Sequence, residues 1–467
     1  MARVTRQAVL DREALAHLLR PRDGVVLERA TTGGGSTGAA FEAAEGPVLH
    51  YRRTVSTDDR PDGTVAVEQT VEFQLALPWF GWLFVPLVKA HVGRIRPRAS
   101  TPWWAPPQRL DARAATSLGT IAALAAVVGY TGYLVSQTMT YAADEFDVST
   151  AGQGVGLAFL RLDFLVALPL VALADRRGRR PALLLTAGAS CALATLGALA
   201  PTLPGLVATQ IPARGCAVAA GIVIGIVAAE EMPAGSRAWS LGVLALGTAV
   251  GSATLLGLLF LADVASWRVL YLVSLAGVPL VVRFGRGLTE TRRYGVAHPQ
   301  GRIPGHGRRL WLLAGSALLL NLFLGPASQF QNEFLNEERN FSAARIAVFI
   351  AATNVWGGIG IVVGGRLADV RGRRPIAAFA VAAGTIATVF MYNAVGWPVW
   401  MWSTVGSVLG AAIIPALGVY GPELFPTGLR GRANGVITGL GRVGSVLGLV
   451  AASTPAALSR AATARPM

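Results

Sequence analysis

From about residue 116 the sequence repeats one pattern to about residue 452: apolar runs of roughly 18 to 25 residues, each able as a helix to cross ~30 Å of hydrocarbon, joined by short polar loops. In a bilayer only a helix satisfies its backbone groups within a single segment, so the pattern commits most of the chain to an all-α polytopic membrane protein. Composition agrees, with 53% hydrophobic and 14% charged residues. Candidate spans fall at 116–140, 152–174, 181–200, 205–229, 238–262, 267–284, 310–332, 345–367, 375–395, 398–420 and 432–452, eleven in all. After Ser453 only Thr454 to Arg460 and a few more residues precede Met467, so no twelfth span is expected, and a truncated C-terminus is the reading adopted. The other reading is that the apolar segment near Trp82 substitutes.

The formal charge of +15 resides in arginines of short loops, where anionic lipid and the positive-inside rule account for it and no nucleic-acid partner is needed. Lys89 is the single lysine, an arginine usage that suits a GC-rich bacterial genome. Placing the N-terminus in the cytoplasm puts every arginine cluster there, including Arg286, Arg292, Arg293, Arg302, Arg308 and Arg309 of the central loop 285–309. Asp144, Glu145, Asp147, Asp263, Glu333, Glu337 and Glu338 then fall outside. This predicts a multi-pass inner-membrane protein and a monomer, with a first bundle at 113–284 and a second at 310–467. Cys191 and Cys216 sit in apolar runs as small hydrophobes and imply no disulfide framework. His17, His50, His91, His298 and His306 lie outside the spans without metal-ligand spacing, so neither catalysis, metal nor cofactor is expected.

Residues 1–112 differ, being charged, with strand-like alternation over Val48–Val55 and Thr64–Phe73. A small α+β extra-membrane region is predicted. The run Thr31-Thr32-Gly33-Gly34-Gly35-Ser36 lacks the Gly-Lys-Ser/Thr ending of a phosphate loop and is taken as a turn. Phe73 to Val88 is apolar but broken by Pro78 and Pro86, which suits an interfacial or domain-packing segment better than a span. Trp79, Phe80, Trp82, Phe84, Trp103 and Trp104 suit a membrane interface.

Two loops repeat. Leu173-Ala174-Asp175-Arg176-Arg177-Gly178-Arg179-Arg180-Pro181 returns as Leu367-Ala368-Asp369-Val370-Arg371-Gly372-Arg373-Arg374-Pro375, an offset of 194 from Asp175 to Asp369. Glu230-x-x-Pro233-x-x-x-Arg237 returns as Glu423-x-x-Pro426-x-x-x-Arg430, an offset of 193. Two motifs at nearly one spacing imply two homologous halves. The Leu-Ala-Asp-x-x-Gly-Arg-Arg loop in both halves resembles the major facilitator superfamily over residues 116–452. Glu423-Leu-Phe-Pro426-Thr-Gly-Leu-Arg430, with Leu288-Thr-Glu290-Thr-Arg292-Arg293, looks like its branch of sugar, organic-ion and aromatic-acid porters. The resemblance implies a two-bundle fold and transport by alternating access. It also implies contacts of Asp175, Arg179, Asp369 and Arg373 that close the cytoplasmic side, together with Glu230, Arg237, Glu423 and Arg430. The glycine usual four residues before the Asp is Gly365 in the second half but Val171 in the first, which puts close helix approach there in question.

Charges inside the spans cost at least ~2.5–3.5 kcal/mol each at mid-membrane and need partners or a wet cavity. Arg161 and Asp163 lie in the second span, Arg214 in the fourth and Arg442 in the eleventh. Arg161 and Asp163, two apart, do not face each other on a helix. At ~1.5 Å per residue Asp163 stands about 18 Å above Asp175 and Arg442 about 15 Å above Arg432. In the family the second and eleventh helices meet, so an Asp163–Arg442 pair is predicted between the halves. Three buried arginines against one acid predict a carboxylate-bearing substrate, with Arg161 and Arg214 as ligands. Tyr130, Tyr133, Gln137, Asn321, Gln329 and Asn354 are candidate polar contacts. Asp163, the sole mid-span carboxylate, is the candidate for proton coupling. The competing expectation is a non-transporting sensor whose residues 1–112 bind a cytoplasmic ligand or partner.

Overall fold

The computed structural model describes residues 1–31, 38–61, 64–95, 101–294 and 306–452. The glycine run 32–37, part of the central loop (295–305) with His298 and Arg302, and the segment after residue 452 lie outside the described residues.

The first 95 residues form an antiparallel five-stranded sheet, order β1-β5-β4-β3-β2, with two helices. The strands are β1 (Ala2–Leu10), β2 (Leu27–Thr31), β3 (Gly38–Glu45), β4 (Val48–Asp59) and β5 (Val65–Leu75); the helices are α1 (Arg12–Leu18) and α2 (Gly81–Val92). Alternation places Val65, Val67, Val71 and Phe73 of β5 on the buried face, as period two requires. Inside that face Glu28 is fully desolvated with Arg53, at 2.6 Å, and accepts the Tyr51 hydroxyl at 2.6 Å. The sequence shows β4 and β5 through their β-branched alternation. It hides β1, whose exposed positions carry Arg and Gln, and β3, which is built largely of Gly and Ala.

Eleven helices among the described residues have the length and composition of membrane spans. In order they are Ala112–Glu145, Gly152–Arg177, Arg179–Leu199, Leu203–Glu231, Ala234–Val264, Trp267–Gly285, Gly307–Glu338, Val348–Arg371, Arg373–Asn393, Trp397–Leu424 and Thr427–Ala452. Proline opens or interrupts several, and at Leu160–Leu162 the second span tightens into a 3-10 turn just before Asp163.

Glycine sets the tightest contacts. A Cβ on Gly251 of the fifth span would lie 1.8 Å from the Ala126 carbonyl oxygen of the first. One on Gly444 of the eleventh would lie 2.2 Å from the Leu318 carbonyl oxygen of the seventh. Those two glycines are 193 residues apart (444 − 251), the offset of the repeated Glu-x-x-Pro loops. First-on-fifth and seventh-on-eleventh packing are therefore the same contact in two copies, held by backbones that approach where no side chain intervenes.

Candidate functional site

The repeated loops lie on one face of the bundle, here termed the motif face, where each half grips the other. Asp175, ending the second span, accepts the amides of Gly431 and Arg432 at 3.0 Å each, so a carboxylate caps the N-terminus of the eleventh span. Asp369, ending the eighth, does the same for the fifth: it accepts from Ala238 at 3.2 Å and Trp239 at 2.8 Å. Each loop aspartate thus caps a helix of the opposite half. Gly178 and Gly372, with φ of 106° and 99°, make the turn that lets the following arginine fold back on its aspartate. Arg179 reaches Asp175 at 2.6 Å and Arg373 reaches Asp369 at 3.4 Å.

The Glu-x-x-Pro-x-x-x-Arg loops exchange partners. Glu230 bonds not Arg237 of its own loop but Arg430 of the other, at 2.9 Å, and also accepts Arg179 at 3.4 Å and the Thr291 hydroxyl at 2.6 Å. Glu423 reciprocally takes Arg237 at 2.7 Å and Arg373. Glu290 caps the third span through the amides of Arg179, at 2.9 Å, and Arg180. Arg179 and Glu230 are completely buried, so truncating either leaves an uncompensated charge, at a cost of about 3–5 kcal/mol.

From these networks a closed seam rises between the second and eleventh spans. The Val171 carbonyl oxygen lies 2.6 Å from where a Gly431 Cβ would be, Leu168 sits over Gly435 at 2.8 Å, and the Phe164 ring over Gly439 at 3.3 Å. Close approach at the first-half loop is thus supplied by the glycines of the partner helix, which corrects the question raised by Val171. A second seam joins the fifth and eighth spans, with Gly365 against the Ala238 carbonyl oxygen at 2.9 Å and Gly242 against the Ile361 carbonyl oxygen at 3.0 Å.

The second-to-eleventh seam leads to the intramembrane charges. Asp163 has no solvent exposure; its Oδ2 lies 3.3 Å from Arg214 Nε and 3.7 Å from Arg442 Nη2, while its buried Oδ1 has no partner. The Asp163–Arg442 distance is that of an ion pair across the halves, but the hydrogen bond goes to Arg214 of the same half. Arg214 also donates to the Gly132 carbonyl at 2.9 Å and to Ser136 at 3.1 Å, tying the second span through the fourth to the first. Ser136 was not singled out in the sequence, where a serine beside Gln137 carries no signal. Arg161 is half-buried and makes no ion pair among the described residues. Two guanidinium groups therefore share one carboxylate, and a third, that of Arg161, lies within electrostatic range of it.

The polar candidates divide. Tyr130 donates to the Leu270 carbonyl at 2.8 Å, a bond that fastens the first span to the sixth. Asn321 donates to Ala317 of its own helix at 2.9 Å, and its Nδ2 lies 3.1 Å from the Cβ position of Gly441, next to Arg442. Gln137 is half-buried; Tyr133, Gln329 and Asn354 are exposed. Among the described residues no cluster of His, Cys, Asp and Glu forms a metal site.

The sequence profile described as Major Facilitator Superfamily matches residues 120–449. No curated protein matches the chain by sequence. Among solved structures the chain is similar to the human organic anion transporter MFSD10, with TM-score 0.57 and 17% identity over 73% of this chain and 92% of that one. It is similar to the proton:xylose symporter XylE, with TM-score 0.60 and 17% identity over 74% and 90%, and to the transporter FucP in its outward conformation, with TM-score 0.58 and 15% identity over 75% and 94%. With two halves exchanging caps and ion pairs across one face, and that profile covering most of its length, the chain belongs to the major facilitator superfamily, whose members move small solutes across membranes.

Proposed function

We propose that this protein carries a small organic anion across the cytoplasmic membrane by alternating access, with the motif face in the cytoplasm and with Asp163 coupling the cycle to protons. One observation carries the reading: Arg214 and Arg442 flank the Asp163 carboxylate where the seam ends, with the half-buried Arg161 in electrostatic range of all three. A carboxylate on the solute supplies the missing negative charge through charge-assisted hydrogen bonds. Both loop aspartates are engaged, which supports reading this as a state closed on the motif face. The unpartnered Asp163 Oδ1 is an atom able to hold a proton; protonation would weaken the hold on Arg214 and Arg442 and free them for the solute.

The test is uptake into proteoliposomes under an imposed pH gradient, with labelled monocarboxylates, dicarboxylates, sugars and organic cations side by side. Carboxylates should accumulate with the gradient, and Asp163→Asn should remove the dependence on it. Accumulation of cations or sugars alone would contradict the reading.

A second reading, in which residues 1–112 regulate or sense, is supported by one contact set. Arg366 of the eighth span donates to the carbonyls of Thr101, Trp103 and Ala105, while Gln108 a few residues on exchanges bonds of 2.7 and 2.8 Å with Ser236 and takes the Gly235 amide at 2.8 Å. The connector thereby bridges both halves beside the fifth-to-eighth seam, and opening of the motif face must break one end. Arg366→Ala should raise labelling of cysteines placed in that seam; unchanged labelling would confine the connector to a structural role.

A further inference from the structure

We propose that α2 lies in the headgroup layer and that the groove beside it, between the first, fifth and sixth spans, binds one anionic phospholipid of the same leaflet. This inference is independent of what the protein transports.

α2 is two-faced. Val88 and Val92 pack into the sheet's core, whereas Trp82, Leu83 and Leu87 stand 71%, 49% and 40% exposed. Its approach is fixed against the ends of the spans. The Ala76 carbonyl accepts the Thr116 hydroxyl at 3.0 Å, Pro78 packs over Gly119 at 2.9 Å from its Cβ position, and the Trp79 ring meets Phe284 edge-on at 4.7 Å. Thr116 and Phe284 lie near the ends of their membrane spans, so the apolar stripe of α2 stands at the height where hydrocarbon gives way to headgroups.

From Trp79 and Phe80 a groove of about 360 Å³ runs along Leu280, Val250 and Val127 to Ser274. Between Phe284 and Ser274 a helix rises about 15 Å, half of the ~30 Å hydrocarbon thickness and hence the depth of one leaflet. A single acyl chain matches that length and that lining.

The charge at the mouth selects the lipid. Arg283 lies over the Trp79 ring at 5.2 Å, and Arg283 and Arg286 are both exposed without a carboxylate partner among the described residues. Arg283 over the groove-lining Trp79, with Arg286 three residues on at the end of the same helix, is complementary to a phosphate without a compensating amine.

The test uses the full chain in vesicles of equal parts phosphatidylcholine and phosphatidylglycerol, with bromine on the acyl chains of one lipid at a time, and reads quenching of tryptophan fluorescence. Expected is stronger quenching by the brominated phosphatidylglycerol. That preference should fall to parity in Arg283→Gln/Arg286→Gln and also in Val250→Phe, which fills the groove without touching the charges. Trp82→Phe should lower the quenching by both lipids. Equal quenching by both lipids in the unaltered chain would overturn the site, as would a preference that survives both groove and arginine variants. Should the arginine variant not insert, Val250→Phe decides the question alone.

Discussion

Asp163 divides its contacts between the halves unequally, and that inequality separates the roles of its two arginines. Arg214 makes three bonds inside the first half, so Arg214→Gln should destabilise that half by about 3–5 kcal/mol, seen as a lower melting temperature of the purified protein. Arg442 is held only at ion-pair distance across the seam, so Arg442→Gln should leave melting nearly unchanged and lower uptake instead. Neutralising Asp163 and Arg442 together should restore expression without uptake; full uptake would make the pair a static tie. The Asp163–Arg442 proximity was legible from two depths counted along helices combined with the family resemblance, in which the second and eleventh helices meet. The hydrogen bond to Arg214 was not, because rotation of the fourth helix about its axis is set by packing that no local pattern records. In the N-terminal sheet, burial, with Arg94 and Arg22 adding to it, lowers the pKa of His91 from its usual 6.5. The folded state then binds fewer protons than the unfolded one, so this region should be most stable above about pH 6.5 and lose protection as pH falls through it. Protection factors of the strand amides, taken against the intrinsic exchange rate at each pH, should be smaller at about pH 5.5 than at about pH 7.5, and equal factors would contradict this.

At the scale of elements, the two caps are equivalent devices at the feet of the fifth and eleventh spans. Asp175→Asn weakens the acceptor for the Gly431 and Arg432 amides and the partner of Arg179 while keeping the volume. A cysteine placed near Gly435 should then become labelled from the motif face, whereas protection equal to that of the parent would deny the cap a gating role. Gly251→Val should be far more damaging, because its Cβ would penetrate the Ala126 carbonyl and force the first and fifth spans apart; loss of folded protein in detergent is the readout. The family resemblance of the repeated loops pointed to contacts of Asp175 and Asp369, but not to the helix each one caps. Partner exchange between Glu230 and Glu423 was hidden, since each loop carries its own arginine at a spacing that suggests a local pair. Similarly, Arg366 stands just before the repeated loop as one more basic residue, and only the fold shows its guanidinium bonded to Thr101, Trp103 and Ala105.

For the whole molecule, the repeat at 193–194 residues was the most informative line in the sequence. It set two halves and the face on which they meet, and the glycines at 251 and 444 extend it into the packing of the spans. The sheet region stayed half-legible because three of its strands lack the β-branched alternation that marks the other two. Alternating access requires that the motif face open as the other face closes. Distances between spin labels, one pair joining the motif-face ends of the fifth and eighth spans and another pair joining the opposite ends of the second and eighth, measure this most directly when the unaltered protein is compared with Asp175→Asn/Asp369→Asn. Expected is a lengthening on the motif face accompanied by a shortening on the far face. Unchanged distances, or a lengthening on both faces, would mean that the two halves do not rock about a central space.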